Sequence, residues 1–403
     1  MDLKSGYPFW AIKNGLMSAF PRLESDCTCD VLIVGAGITG ALIARSLCND
    51  GLDVVVVDER DVAWGSTAAS TALLQYEIDT PLVDLAKRYG METASLVYRS
   101  CADAISMLKG VASEIGDVDF AMKQSLYLAS SRFHERRLSD EFAARRQCRL
   151  PVQWLARGDV DDRFGIKSPC ALLTRVAAQV DPYRMTSRLL DSLASRGVRI
   201  FDRTHIEWVQ SRTRSVVAKT DSGVSVRAKH LVFAAGYASQ KWLSASVAKN
   251  RSSYAFVTDP IGAKKLGTWS KTLLWESARP YIYVRSTADA RLLVGGEDDA
   301  IDIPARRDAR VEKKVGTLMK RTRKLFPELP LLPTFSWGGT FAETPDGLPY
   351  FGPHAEWGPR VLFAMAYGGN GITYSALGGD ILLAMIKGNA HPLIEPFAFE
   401  RFA

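Results

Sequence analysis

Three glycines with the spacing Gly35-x-Gly37-x-x-Gly40 connect an apolar, β-branched run at residues 31–34 to a segment with helical apolar spacing. The run is typical of a strand buried on both faces. In such a strand–turn–helix the first glycine permits a tight turn, the second lets a pyrophosphate approach the backbone, and the third allows close packing of helix and strand. The helix N-terminus adds free amide donors and a partial positive charge. The segment is therefore predicted to bind the phosphates of a dinucleotide.

Two carboxylates follow the next apolar run. Residues 52–57 read LDVVVV and lead into Asp58, which lies 23 residues after Gly35 and is followed by Glu59. A carboxylate at this place can hold the ribose diol of an adenosine half. An acid here indicates a free 2′-hydroxyl, and hence NAD or FAD rather than NADP.

A stretch of small residues, Gly65-Ser66-Thr67 continuing to Ala72, begins seven residues after Asp58. Its amides and hydroxyls could line a buried polar ligand, although a flexible surface loop would have the same composition. Together with the opening strand–turn–helix, the stretch resembles the glycine and D-amino-acid oxidase (DAO) family of flavoproteins. That family places a small-residue loop against the pyrophosphate and ribityl chain of FAD. The resemblance implies that FAD is the cofactor.

The resemblance continues towards the C-terminus. Residues 204–206 are similar to the adenine-edge strand of the family, and residues 230–236 to its turn close to the cofactor. Residues 360–367 then lead through a glycine-rich turn into a helix whose N-terminal dipole would stabilise negative charge on a reduced flavin. The implied cofactor-binding residues are Gly35, Gly37, Ile38, Thr39, Gly40, Asp58, Glu59, Gly65, Ser66, Thr67, Ile206, Ala235, Gly236, Gly369, Asn370, Gly371, Ile372 and Thr373.

The attachment of the flavin can also be predicted. Some members of the family bond FAD covalently, through a His just after the small-residue loop or a Cys shortly before a Thr-Pro-Asp turn. Here these places read Ala68-Ala69 and Gly338-Gly339. The resemblance therefore implies non-covalent FAD.

A substrate site is predicted between the cofactor segments. In residues 280–285, strand alternation places Tyr281, Tyr283 and Arg285 on one face. Two phenols and a guanidinium suit a carboxylate-bearing or amine ligand, although a face wetted by solvent would have the same pattern. Tyr254 and Tyr367 are near ligand-facing positions of the family.

Other chemistries find little support. The five His residues show no metal-ligand spacing and no partnership with Ser or Cys, so neither a metal site nor a Ser-His-Asp site is predicted. No catalytic residue is assigned. The six Cys residues form no C-x-x-C pair, and no secretion signal is evident at the start of the chain, so we expect a reducing compartment, the cytoplasm.

Composition and length indicate the class of protein that carries these motifs. The chain has 403 residues, 47% of them hydrophobic and 24% charged, which is typical of a globular protein with more than one domain. The predicted class is α/β: a Rossmann-like FAD-binding domain with a discontinuous second α+β substrate domain, of the DAO and glutathione-reductase-like type. The predicted FAD-binding segments are 24–85, 166–245 and 336–403, and the predicted substrate-binding segments are 86–165 and 246–335. Residues 1–23 form an N-terminal extension.

The resemblance implies oxidation of a carbon–nitrogen bond in an amine or amino acid by hydride transfer to flavin N5. Oxygen, a quinone or another acceptor would then reoxidise the flavin. Two alternatives stay open: a flavin-dependent RNA-modifying enzyme, and a non-catalytic flavoprotein subunit that docks through the aromatic N-terminal segment. The net charge of +7 and the basic amphipathic stretch 305–326 leave peripheral membrane contact open. A nucleic-acid partner is not expected, because no RNA-binding motif accompanies that stretch.

Overall fold

The computed structural model describes residues 2–301 and 303–402. Its strands are β1 (Cys27–Val34), β2 (Val54–Val57), β3 (Leu73–Gln75), β4 (Ala121–Leu128), β5 (Gln153–Ala156), β6 (Cys170–Gln179), β7 (Arg199–Phe201), β8 (Ile206–Ser211), β9 (Val216–Thr220), β10 (Ser225–Phe233), β11 (Lys249–Thr258), β12 (Thr272–Glu276), β13 (Ile282–Ser286), β14 (Leu292–Asp299), β15 (Pro333–Glu343), β16 (Tyr350–Pro353) and β17 (Val361–Met365).

The helices are α1 (Phe9–Asn14), α2 (Ile38–Asn49), α3 (Ser66–Ala69), α4 (Leu82–Ile115, interrupted at Gly90), α5 (Glu135–Gln147), α6 (Arg157–Phe164), α7 (Pro182–Ser195), α8 (Ala263–Leu266), α9 (Pro304–Asp308), α10 (Val311–Leu325) and α11 (Gly371–Lys387). Short 3-10 segments lie at Arg132–His134, Gly236–Trp242, Gly267–Ser270 and Phe399–Phe402.

The first sheet has a parallel centre of five strands in the order β17-β10-β1-β2-β7. Strand β16 extends it antiparallel to β17, and β9 and β8 form an antiparallel extension beside β10. All four valines of β2 are buried, because both faces of the sheet are covered. The Rossmann-like part of the prediction is confirmed.

Helices α2, α4, α7 and α11 share one hydrophobic core with a face of this sheet. Helix α4 contributes Val97, Cys101, Ile105 and Leu108 to that core. The sequence prediction placed residues 86–165 in the substrate domain; α4 also contacts strands β3 and β6, so the domain to which it belongs stays a prediction. An amphipathic helix shows that it needs an apolar neighbour, but it does not show which sheet supplies one.

The second sheet has nine strands in the order β15-β11-β14-β13-β12-β4-β6-β3, with β5 beside β6. Its pairs are antiparallel except for β4 and β12. Strands β3 and β6 belong to this sheet, although the segments 24–85 and 166–245 were assigned to the FAD-binding domain. Eight of the ten residues of β6 are buried, so its apolar pattern does not distinguish the two sheets.

Helix α10 packs on the second sheet through Val315, Leu318 and Met319, which confirms the predicted amphipathic face. Some basic side chains in and next to this helix form ion pairs with carboxylates of the same chain. Arg310 lies 3.0 Å from the carboxylate of Asp299, and Arg321 contacts two glutamates, Glu276 and Glu297. Membrane contact through this helix stays a prediction. No helix in the described part of the chain is long and apolar enough to span a membrane.

Candidate functional site

A cavity of about 270 Å³ runs between the two sheets. The turns that follow β1 and β2 and the N-terminus of α11 line one part of it, and residues of β11 to β14 line the other. It joins nearly all the predicted cofactor-binding residues to three of the five predicted substrate-binding residues. The two predicted sites are therefore one continuous space.

The glycine turn is packed so closely that side chains would not fit. Gly35 has a φ of +119°, and a Cβ there would lie 2.4 Å from the carbonyl oxygen of Ala234. A Cβ on Gly40 would lie 1.8 Å from the carbonyl oxygen of Gly35. Gly40 accordingly lies beneath the cavity wall rather than in it, as expected for a residue that lets helix and strand approach.

The N-terminus of α2 faces the cavity with its backbone donors. The first helical hydrogen bond of α2 is formed by the amide of Ala41, which donates to the carbonyl of Gly37. The amides of Thr39 and Gly40 precede it and have no intrahelical acceptor. The amide of Ile38 donates to Oγ1 of Thr67 over 3.0 Å, which fastens the small-residue loop to the helix. This arrangement suits an anionic diphosphate.

Asp58 and Glu59 lie at the nucleotide end of the cavity. Asp58 accepts hydrogen bonds from the amides of Ala36 (2.7 Å) and Arg60 (2.9 Å). Burial raises the pKa of Asp58 to about 6, and the two amide bonds oppose that shift. For Glu59, burial disfavours the charge, but the cations of Arg60 and Lys241 outweigh it and leave the pKa lowered.

The predicted second helix, α11, begins at the same cavity. Asn370 lies at its N-terminus and donates through Nδ2 to the carbonyls of Gln75 (3.0 Å) and Glu77 (2.8 Å). Helices α2 and α11 contact each other closely, and their hydroxyls Thr39 Oγ1 and Ser375 Oγ are 2.8 Å apart. The cavity wall includes Gly35, Gly37, Ile38, Thr39, Asp58, Glu59, Gly65, Ser66, Thr67, Ile206, Ala235, Gly236, Gly369, Asn370, Gly371, Ile372 and Thr373.

The loop after α3 is held by three long side chains. Nε1 of Trp337 donates to the carbonyl of Ala69 (2.9 Å), Nε1 of Trp10 to that of Ser70 (2.7 Å), and Nε of Arg285 to that of Thr71 (2.6 Å). Three consecutive carbonyls thus have fixed donors. The loop is a positioned wall of the cavity rather than a flexible surface loop.

The prediction that Arg285 binds a substrate carboxylate is contradicted by its position. The residue is 1% exposed and does not line the cavity. Besides Thr71, its guanidinium donates to the carbonyls of Val180 (3.0 Å) and Ser286 (3.2 Å). Strand alternation gave the correct face for this residue, because Tyr283 and Arg285 lie two residues apart within β13. At Arg285, however, this face is covered by the Thr71 loop and the ring of Trp10, which separate the guanidinium from the cavity.

The prediction that Tyr367 binds the substrate is also contradicted. Its side chain is fully buried and donates to the carbonyl of Gly236 over 3.2 Å, so it supports the turn beside the cofactor from outside the cavity. The aromatic N-terminal segment is corrected in part. Phe9 and Trp10 are buried within the chain, whereas Tyr7 is 69% exposed.

The other predicted substrate residues, Tyr254, Tyr281 and Tyr283, line the cavity. The ring of Tyr283 lies flat against Gly295 of β14, where a Cβ would come within 2.4 Å of it. Tyr281 and Tyr283 have ring centres 5.8 Å apart. Trp275 completes this aromatic end and stacks on Tyr127 at 3.7 Å.

Two acidic residues at this end were missed by the sequence analysis. Asp79 follows β3, and Asp298 lies in β14; both line the cavity. The paired glycines Gly295-Gly296 were a usable signal for Asp298, because glycines inside a strand often mark a bulge or a close approach. Nothing in the sequence around Asp79 singled it out.

No group of three or more His, Cys, Asp or Glu side chains within residues 2–301 and 303–402 is placed to hold a metal ion. The positions implied for covalent flavin attachment lie side by side in the cavity wall. A Cβ on Gly339 would lie 3.4 Å from that of Ala69, and neither position carries a nucleophile.

Comparison with known proteins agrees with this site. The model of the family "FAD dependent oxidoreductase" (DAO) matches residues 30–385. The putative Rieske 2Fe-2S iron-sulfur protein YhfW of Bacillus subtilis (strain 168) is 24% identical over 399 residues, covering 98% of this chain and 75% of that protein. Gamma-glutamylputrescine oxidoreductase of Escherichia coli (strain K12) is 24% identical over 404 residues, covering 95% and 89%.

Among solved structures, glycine oxidase from Geobacillus kaustophilus superposes with a TM-score of 0.76 at 21% identity, covering 92% of this chain and 98% of that one. The glycine turn, the orphan amides of α2, the carboxylates after β2 and the second helix N-terminus fit FAD in this cavity. The family match over most of the chain and the fit of these residues lead to the same conclusion: the chain belongs to the FAD-dependent oxidoreductase family of DAO type and has FAD as its cofactor.

Proposed function

We propose that the protein oxidises the carbon–nitrogen bond of an amine or amino acid. The observation that carries this proposal is one continuous cavity, which connects the dinucleotide-binding turn to an aromatic and acidic end on the second sheet. An amine fits that end because aromatic faces and carboxylates both attract cations. The similarity to gamma-glutamylputrescine oxidoreductase and glycine oxidase supports the same substrate class.

When bound, FAD supplies a two-electron acceptor at flavin N5. A neutral amine gives up the hydrogen on its carbon as a hydride, and the remaining iminium cation takes up water to yield a carbonyl compound and ammonia or a smaller amine. The two electrons leave the protein through oxygen, a quinone or another acceptor. No acid or base of the protein has to join the reacting bond.

The chain's own residues bind the cofactor, orient the substrate and exclude water. The N-termini of α2 and α11 both open on the cavity and favour negative charge there. Tyr281, Tyr283 and Trp275 form an apolar enclosure in which a carbon–hydrogen bond can be held at one orientation. The Trp10, Arg285 and Trp337 donors keep the small-residue loop in place.

An anaerobic screen of the holoprotein tests the proposal. Amines, amino acids and hydroxy acids are added singly, and loss of the flavin absorbance is recorded. We expect at least one amine or amino acid to bleach the flavin. Bleaching by hydroxy acids alone would overturn the substrate class. Failure of every compound, with chemical reduction still possible, would favour a non-catalytic flavoprotein subunit, and salt-dependent retention of RNA would favour action on RNA.

A further inference from the structure

The charges that line the cavity are unevenly distributed. Its basic side chains, Arg60, His205 and Lys241, gather near Glu59 at the nucleotide end. The opposite end, on the second sheet, carries Asp79 and Asp298 among aromatic rings. The described residues that line this opposite end include no Arg, Lys or His.

Asp79 is fixed at the boundary between the two ends. Its Oδ2 accepts the amide hydrogen of Gly369 over 2.9 Å, and its Oδ1 accepts a hydrogen bond from the hydroxyl of Tyr281 over 3.4 Å. Gly369 immediately precedes the N-terminus of α11, where the cofactor-binding turn lies. Asp79 therefore links the cofactor turn to the aromatic end and holds its carboxylate at the cavity wall.

Asp298 is placed in the cavity by a bulge in β14. Ser252 pairs with Asp299 and Tyr254 with Gly296, so Glu297 and Asp298 together face one residue, Ser253. Glu297 has a positive φ of +56° within this bulge. Such an insertion re-aims a side chain that regular alternation would direct elsewhere. The carboxyl group of Asp298 has a hydrogen bond with Ser253, but its buried Oδ1 has no hydrogen-bond partner among the described residues.

Candidate guanidinium groups for a carboxylate ligand lie outside this space. Arg285 donates to three backbone carbonyls behind the wall. Arg279 is exposed and does not line the cavity, although its guanidinium stacks on the ring of Tyr281 at 4.5 Å and its charge lowers the pKa of Asp298. A carboxylate beside Asp79 and Asp298 would meet like charge, which costs affinity.

We propose that Asp79 and Asp298, enclosed by Trp275, Tyr281 and Tyr283, bind a cationic nitrogen of the substrate and reject a carboxylate at the same place. The substrate class is then an alkylamine or diamine whose ammonium group is held at this end, rather than an α-amino acid. The inference rests on the proposed function for the identity of the reaction. It assigns which part of the substrate the second sheet recognises.

The test uses two matched small ions that the enzyme cannot oxidise at a carbon–nitrogen bond. Tetramethylammonium has no lone pair on nitrogen, and acetate has no nitrogen. Their dissociation constants are measured on the oxidised holoprotein by calorimetry, for the parent and for Asp79→Asn, Asp298→Asn and Arg279→Gln. Asp103→Asn, on the exposed side of α4, controls for the loss of one negative charge. Flavin content is measured for each variant.

We expect tetramethylammonium to bind the parent and acetate not to bind. Each aspartate variant should weaken tetramethylammonium binding about tenfold or more at unchanged flavin content. Asp103→Asn and Arg279→Gln should change it less than about threefold. Acetate binding that is lost in Arg279→Gln would overturn the proposal. So would the absence of tetramethylammonium binding in the parent, or tetramethylammonium binding that is unchanged in both aspartate variants.

Substrate comparison separates this inference from the proposed function. The series 1,4-diaminobutane, n-butylamine and 4-aminobutanoate keeps one reacting amine and changes the other end from cation to methyl to carboxylate. Under the proposal KM rises in that order. If only amino acids with a carboxylate reduce the flavin, the proposed function stands and the inference fails. If no amine or amino acid reduces it, the proposed function fails while the ion-binding result still stands on its own.

Discussion

The guanidinium of Arg285 lies over the indole ring of Trp10, 5.0 Å from its centre. The two side chains donate to the neighbouring carbonyls of Thr71 and Ser70 in the loop that lines the cofactor cavity. Trp10 comes from α1, in the segment predicted to be an extension before the first domain. That segment is therefore part of the wall that supports the cofactor site.

Arg285→Met is expected to destabilise the protein by about 3–5 kcal/mol, because three buried carbonyls lose a charged donor. Burial lowers the pKa of Arg285 to about 10, so the group stays charged at neutral pH. Chemical unfolding of the purified protein measures the effect, and flavin content should fall with it. A fully stable variant with only a raised KM would restore Arg285 as a substrate ligand.

Gly37→Val is expected to yield protein without flavin. A Cβ at this position already lies 3.1 Å from Oγ1 of Thr67, and the larger side chain would fill the space where the diphosphate approaches the backbone. Gly316→Val, on the exposed face of α10 with nothing within 4 Å of its Cβ, is the matched control. Normal flavin absorbance in Gly37→Val would contradict the assignment of the glycine turn.

Acid precipitation should release intact FAD into the supernatant. The two places implied for covalent attachment carry Ala69 and Gly339, neither of which offers a nucleophile to the flavin. The absorbance of the supernatant and of the washed pellet is compared. A yellow pellet with a colourless supernatant would show a covalent bond elsewhere in the cavity.

Cation binding should weaken as the pH falls through about 7. Burial raises the pKa of Asp298 to about 7; Ser253 and Arg279 lower it, while Asp79 and Glu343 raise it. Below that pH the carboxyl group is protonated and neutral, so it no longer attracts a cation. With one group of this pKa, tetramethylammonium should bind about tenfold more weakly at pH 6 than at pH 8. Asp298→Asn should remove this dependence, and an unchanged slope in that variant would assign it to another group.

Arg145→Met should destabilise the protein by about 3–5 kcal/mol. Arg145 is 1% exposed, with Nε 2.7 Å from Glu141 and Nη1 3.4 Å from Glu77, so its loss leaves two buried carboxyl groups without their cation. Burial already raises the pKa of Glu77 to about 7.

Arg137→Met is the control for that variant. Arg137 pairs with Asp84 at 2.8 Å on the surface, and its loss should cost less than about 1 kcal/mol. Midpoints and slopes of urea unfolding are compared for both variants. Equal stabilities would show that the buried cluster contributes little.

The discontinuous domains illustrate the limit of sequence patterns. Strand β6 pairs in the second sheet although its segment was predicted for the FAD-binding domain, and helix α4 contacts helices of one sheet and strands of the other, because an apolar strand or an amphipathic helix fits either sheet equally well. Long-range pairing decides between them, and no local pattern encodes it. The strand–turn–helix around Gly35 lies where it was predicted because it depends on residues that are close together in the chain.

By itself, the sequence determined the cofactor half of this protein: the glycine spacing, Asp58, the small-residue loop and the second helix N-terminus are local features with one dominant use. Tertiary structure decided the substrate half. Arg285 was expected at the substrate and lies behind the wall, while Asp79 and Asp298 were not expected and line the cavity. The physical reason is that a substrate pocket is assembled from distant strands, in which a single bulge, as at Glu297, redirects a side chain.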